Sequence, residues 1–163
     1  MARALIVGCG CRGRSLAAEL SAAEWTVRGT SRSAEGVAAI EAAGFDAVRA
    51  DPDQVATLLD HVADITVVCW LMGSARGDAE SVAALNGPRL ERVLEELVDS
   101  PVRGFVYEAA GTVDGDALRA GSQIVASAAE RWRIPVVSID ADPADHDGWT
   151  LAAYTAVHET LDG

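Results

Sequence analysis

The chain has 163 residues, half of them apolar and 23% charged, with a formal net charge of -12. That size and apolar content exclude a disordered chain and fit one domain over 1–163 with no separate substrate domain. The acidic balance excludes nucleic acid as the main partner, and no apolar run reaches the roughly 18 residues of a membrane span. With no signal-peptide layout at the N-terminus, the expectation is a cytoplasmic protein.

Charge is unevenly spread. All 13 basic side chains are arginine, and lysine is absent from the sequence. Residues 1–32 hold Arg3, Arg12, Arg14, Arg28 and Arg32 against Glu19 and Glu24, a local balance of +3 in an acidic chain. A small anionic ligand suits that head. Cys9, Cys11 and Cys69 are odd in number and lack the paired spacing of a zinc knuckle, so neither a disulfide scaffold nor a metal site is expected.

In chain order, short apolar runs alternate with helical stretches. Ala4–Val7 reads as a buried strand and Ser15–Ala23 as a helix; Trp25–Thr30 is a second strand, followed by a helix from Ala34 to Ala43 that Gly44 ends. Ala47–Ala50 is a weak third strand closed by Asp51-Pro52, since proline cannot donate to a ladder. Val55–His61 is a short helix and Ile65–Trp70 a fourth strand. Pro88 opens a helix whose Leu90, Val93, Leu94, Leu97 and Val98 form one apolar stripe. Gly104–Tyr107 is a fifth strand, Ala117–Trp132 a helix, Pro135–Ile139 a sixth strand and Trp149–Leu161 a closing helix. Such alternation predicts an α/β doubly wound parallel sheet, three layers deep, with strand order 3-2-1-4-5-6: a Rossmann arrangement.

Gly8-Cys9-Gly10-Cys11-Arg12-Gly13 is a GxGxxG that follows a buried strand and opens a helix. In that context Gly8 permits the tight turn, Gly10 the approach of a pyrophosphate and Gly13 close packing of helix on strand. The loop, with Cys11 and Arg12, is therefore expected to bind a dinucleotide at the helix N-terminus. An NAD site places a carboxylate at the end of the second strand, whereas Gly29-Thr30-Ser31-Arg32-Ser33 has none. Ser31 and Arg32 suit a 2′-phosphate, with Arg12 within possible reach of the same group, so NADP is expected in preference to NAD.

Ligands of such sheets bind beyond the carboxyl ends of the strands. Asp51 there is either an adenine contact or a turn residue; Trp70 and Leu71 either flank the cofactor or, for Trp70, belong to the core. Tyr154 and His158, four apart on the last helix, read as a packed pair, and the Asp140–Asp147 cluster as a solvated loop.

The GxGxxG loop, the Gly29–Arg32 stretch and the Gly104–Tyr107 strand resemble the atypical and extended short-chain dehydrogenases, the NAD(P)-dependent epimerase/dehydratase-like proteins. The resemblance implies an NADP-binding Rossmann fold, with Gly8, Gly10, Gly13 and Arg32 in its cofactor motif. It does not bring the family's Tyr-x-x-x-Lys pair: in register that pair falls near Gly115 and Arg119. The chain also stops where family members add a substrate lobe. Glu108 and Thr112, after the fifth strand, are the weak catalytic candidates that remain. Beside a structural subunit whose glycine loop is a relic, two functions follow: a non-catalytic NADP(H)-binding module or redox sensor, and an NADP-dependent oxidoreductase acting on a small molecule through an atypical proton donor. A homodimer that covers the last helix is expected in either case.

Overall fold

A computed structural model describes residues 2–162. Among them, six strands are β1 (Arg3–Val7), β2 (Thr26–Ser31), β3 (Asp46–Arg49), β4 (Val67–Trp70), β5 (Gly104–Glu108) and β6 (Val136–Ile139). The helices are α1 (Cys11–Ala22), α2 (Ala34–Ala42), α3 (Val55–Leu59), α4 (Ala79–Leu85), α5 (Pro88–Leu97), α6 (Gly115–Trp132) and α7 (His146–Glu159). Neighbouring strands all pair parallel, in the order β3-β2-β1-β4-β5-β6. This is the doubly wound sheet that the strand–helix alternation predicts.

Both faces of the sheet are covered, which is why β4 and β5 are buried at every position rather than at alternate ones. On one face Leu5, Val68, Trp70, Phe105 and Tyr107 meet the α5 stripe of Leu90, Val93, Leu94 and Leu97. Burying those four α5 side chains is worth roughly 6–12 kcal/mol before entropy is counted. On the other face Ile6, Cys69 and Val106 pack against Leu16, Leu20, Ile40 and Trp149.

Three elements differ from the sequence reading. α1 begins at Cys11 rather than Ser15, because Gly13 is helical and lies against the sheet. α4 was not expected; Asp78 caps it by accepting from the Ser81 N–H at 2.8 Å. α7 starts at His146, capped by Asp145, whose Oδ1 accepts from the Gly148 N–H at 3.2 Å.

The strand order reverses between β1 and β4. Beyond their carboxyl ends the two connections run to opposite faces, and this opens the crevice in which the candidate site lies.

Candidate functional site

The crevice has a volume of about 410 Å³. Its floor is the turn from β1 into α1. Gly8 adopts φ +83°, a left-handed conformation, and a Cβ there would lie 2.6 Å from the Leu71 carbonyl oxygen. At Gly10 a Cβ would meet nothing within 4 Å, so the backbone faces open space. At Gly13 a Cβ would sit 3.3 Å from both Cys9 Sγ and Ile6 Cγ2, which is close helix-on-strand packing. Gly8 thus makes the tight turn and Gly13 the close packing, while Gly10 leaves the turn open to the crevice.

The first turn of α1 has no side-chain cap and no acidic residue, and the first intrahelical bond runs from the Arg14 N–H to the Gly10 carbonyl at 2.9 Å. Among the described residues the N–H groups of Cys11, Arg12 and Gly13 have no partner. They present three donors and the positive end of the helix dipole.

Around that turn the crevice is lined by Arg12, Arg14, Arg32 and Arg76 and by no carboxylate. This concentration of cations stands out in a chain of net charge -12. Ser31 and Arg32 line it at the end of β2, where Ser33 caps α2 by accepting from the Gly36 N–H at 3.0 Å. Arg32 is half exposed; its nearest acid is Asp53, at 3.9 Å, which Arg89 also approaches at 3.8 Å. Ala50 and Pro52 line the crevice beyond β3, and Leu71, Met72, Ser74 and Ala75 beyond β4.

The far end is different. Glu108, the last residue of β5, is 1% exposed. Its Oε1 accepts from the Gly73 N–H at 2.8 Å and its Oε2 from the Trp149 indole N–H at 3.0 Å. The Arg12 guanidinium lies 3.6 Å from Oε2 and 5.5 Å from the centroid of the Trp149 ring. Burial raises the Glu108 carboxyl above its ordinary value, against the pull of the Gly73 bond, Arg12 and Trp149.

Several expectations need correction. Arg12 does not reach toward β2 and a 2′-phosphate: the buried Glu108 carboxylate draws it to the opposite end of the crevice, beyond β5. Trp70 is a core residue with no exposure; it stacks on Phe105 and donates its indole N–H to the Leu85 carbonyl at 3.1 Å. Leu71, one residue on, does line the crevice. Asp51 takes its turn role: its Oδ1 accepts from the Asp53 N–H at 2.9 Å, and it is not among the lining residues. Thr112 also lies off the crevice, its N–H bonded to Ser74 Oγ at 3.3 Å.

Tyr107, Cys9, Tyr154 and His158 are engaged structurally. Burial pushes the Tyr107 hydroxyl up to about 12, and it faces Asn86 Oδ1 at 2.7 Å. Burial likewise pushes the Cys9 thiol up to about 11, so it stays neutral where it meets the crevice. Tyr154 and His158 stack at 4.4 Å, with Trp25 edge-on to the imidazole. At the positions of the family's Tyr and Lys, Gly115 opens α6 and Arg119 pairs with Asp116 on the exposed face of that helix. Arg14, Arg76, Ser74 and Trp149 are crevice residues that strand-end reasoning alone did not select.

No family model matches the sequence, and no curated protein matches it. Solved structures do. Serine dehydrogenase from Escherichia coli is 15% identical, with a TM-score of 0.74 over 94% of this chain and 89% of its own. A short-chain dehydrogenase/reductase superfamily protein from Agrobacterium tumefaciens with bound NAD is 20% identical, with a TM-score of 0.69 over 83% of this chain. Triphenylmethane reductase from Citrobacter sp., complexed with NADP(H), is 15% identical, with a TM-score of 0.63 over 85% of this chain. This chain spans 48% of the length of each of the last two. What these proteins share with it is the fold: the chain has the Rossmann architecture of short-chain dehydrogenase and epimerase/dehydratase structures.

Proposed function

We propose that the crevice binds NADP(H) and that the protein acts as a non-catalytic cofactor-binding module or redox sensor. One observation carries this: Arg14, Arg32, Arg76 and three unpartnered helix N–H groups converge on an open glycine turn, with no carboxylate among the lining residues. A pyrophosphate supplies charge for the helix end, and a 2′-phosphate supplies it for Arg32 and Ser31. The NAD-bound and NADP(H)-bound structures of the same fold support a nicotinamide dinucleotide as the class of ligand.

The proton-relay machinery of the resembled enzymes has no counterpart in this sequence. Glu108 is enclosed, and Tyr107 is held protonated in the core. One observation favours the second reading, an NADP-dependent oxidoreductase: Glu108 titrates above the ordinary carboxylate range beside Arg12.

Thermal denaturation with NADPH and with NADH tests binding. At 100 times its Kd a ligand adds about 2.7 kcal/mol, which for a domain of this size raises Tm by about 5–11 °C. NADPH is expected to give that shift at a lower concentration than NADH. No shift with either refutes the reading. Consumption of NADPH against a panel of carbonyl compounds separates the two functions; turnover that Glu108→Gln abolishes would establish the oxidoreductase.

A further inference from the structure

We infer that the site recognises its ligand through the 2′-phospho-ADP portion alone and leaves the nicotinamide ring outside the protein. This rests on the NADP(H) reading above and specifies which part of that molecule the protein holds.

The lining residues run from the end of β3, past β2 and the glycine turn, to the end of β4, and stop at Arg12 and Trp149. No residue of 108–114 contributes to the wall. In an open sheet of this order, a dinucleotide that crosses the switch point lays its second nucleotide beyond β4 and β5. Here the space between those two strand ends is closed by the chain itself.

The closure is built from backbone. The Gly73 N–H donates to Glu108 Oε1 at 2.8 Å, the Val113 N–H to the Gly73 carbonyl at 3.0 Å and the Thr112 N–H to Ser74 Oγ at 3.3 Å. Gly111 packs against the Gly73 backbone, with φ +155°. A Cβ at Gly73 would be 2.8 Å from both Cγ and Oε1 of Glu108, so only glycine lets the two connections approach so closely. The loops after β4 and β5 are thus fastened together where a ring would have to enter.

Trp149 completes the closure. It is fully buried, fixed by its indole bond to Glu108 Oε2, and one face of its ring already carries the Arg12 guanidinium. A guanidinium therefore lies over an aromatic ring where the crevice ends. The Arg12 guanidinium and the Glu108 carboxylate already hold each other, so the pair offers a cationic oxidised nicotinamide no free counter-charge. The open half offers the opposite environment: Arg14 and Arg76 form no ion pair among the described residues, and Arg32 is only loosely engaged by Asp53. Attraction for an anionic nucleotide is concentrated in the half that can admit one.

Titration calorimetry on the intact wild-type chain tests this with four ligands: 2′-phospho-ADP-ribose, NADP⁺, NADPH and nicotinamide mononucleotide. The first three are expected to bind with Kd values within about twofold of one another, and the mononucleotide not to bind at millimolar concentration. The fluorescence of bound NADPH should keep the emission maximum of the free molecule, since its ring stays in water. If NADP⁺ or NADPH binds more than about twofold tighter than 2′-phospho-ADP-ribose, if nicotinamide mononucleotide binds, or if the emission shifts to the blue, the inference is overturned while the NADP(H) reading stands. If none of the three adenine ligands binds, both fall.

Discussion

Arg32 and Asp53 make opposite predictions at one locus. Arg32 lies at the end of β2, half exposed, with Asp53 at 3.9 Å as its one ion-pair partner among the described residues. Turning it toward a ligand breaks little, because a solvated pair at that distance is worth at most about 1 kcal/mol. A guanidinium–phosphate bond is charge-assisted and worth about 1.5–3 kcal/mol. Arg32→Ala should therefore weaken NADPH binding by roughly 12- to 150-fold. NADH has no 2′-phosphate and should lose no more than about twofold. Asp53 competes for the same guanidinium and also repels the phosphate, so Asp53→Asn should strengthen NADPH binding by up to about fivefold. Calorimetry at one fixed salt concentration measures both. General damage to the fold cannot raise affinity in one variant and lower it in its neighbour. Equal loss of NADPH and NADH in Arg32→Ala, or weaker NADPH binding in Asp53→Asn, would refute the placement of the 2′-phosphate.

The two glycines of the turn should separate fold from ligand. Gly8→Ala forces a side chain into the left-handed region and onto the Leu71 carbonyl, and should cost at least about 1–2 kcal/mol in urea unfolding. Gly10→Ala meets open space, so stability should stay within about 0.5 kcal/mol while NADPH affinity falls at least tenfold. Burial raises the folded-state pKa of Glu108, so the folded chain holds that proton more tightly than the unfolded chain does. The stability of wild type relative to Glu108→Gln should accordingly fall as pH rises from the ordinary glutamate range through the folded-state pKa, and level off above it. A relative stability that rises with pH across that window would show that the hydrogen bonds outweigh desolvation. Gly121→Ala should cost about 1–3 kcal/mol, because the new methyl displaces the buried Tyr107 hydroxyl from Asn86; thermal melts of this variant read the loss.

Much of the sheet is legible in the sequence because its central strands are buried on both sides. Ala4–Val7, Val67–Trp70 and Gly104–Tyr107 are apolar runs that few other arrangements accommodate, and the glycine motif follows the first of them. Which way a strand-end residue points is much harder to read. Trp70 and Leu71 are adjacent, yet alternation sends the first into the α5 face and the second to the crevice. The direction of Arg12 is illegible for another reason. It depends on Glu108 and Trp149, distant in sequence and joined only after β5 and α7 have docked. α4 was missed because seven residues between two short connections give too little periodicity, and Asp78 is an ordinary loop residue until its cap bond is seen.

The closed end also sets a limit on what ligand binding can rearrange. Glu108 is a buried carboxylate that serves two donors on separate oxygens, with a guanidinium beside it. Both bonds go to a charged acceptor, and giving one up leaves the buried carboxylate short of a donor at a cost of about 1.5–3 kcal/mol. A ligand that had to part Glu108 from Gly73 or Trp149 would lose roughly one to two orders of magnitude in affinity. A nicotinamide ring brings no anion, and its one carboxamide group would have to replace donors that the Gly73 backbone and the Trp149 ring already hold in place. The pyrophosphate and 2′-phosphate face no such deficit, since the α1 N–H groups and Arg14, Arg32 and Arg76 are already turned to solvent in the crevice. The most stable complex is the one that fills the arginine-lined half and leaves the Glu108 network intact.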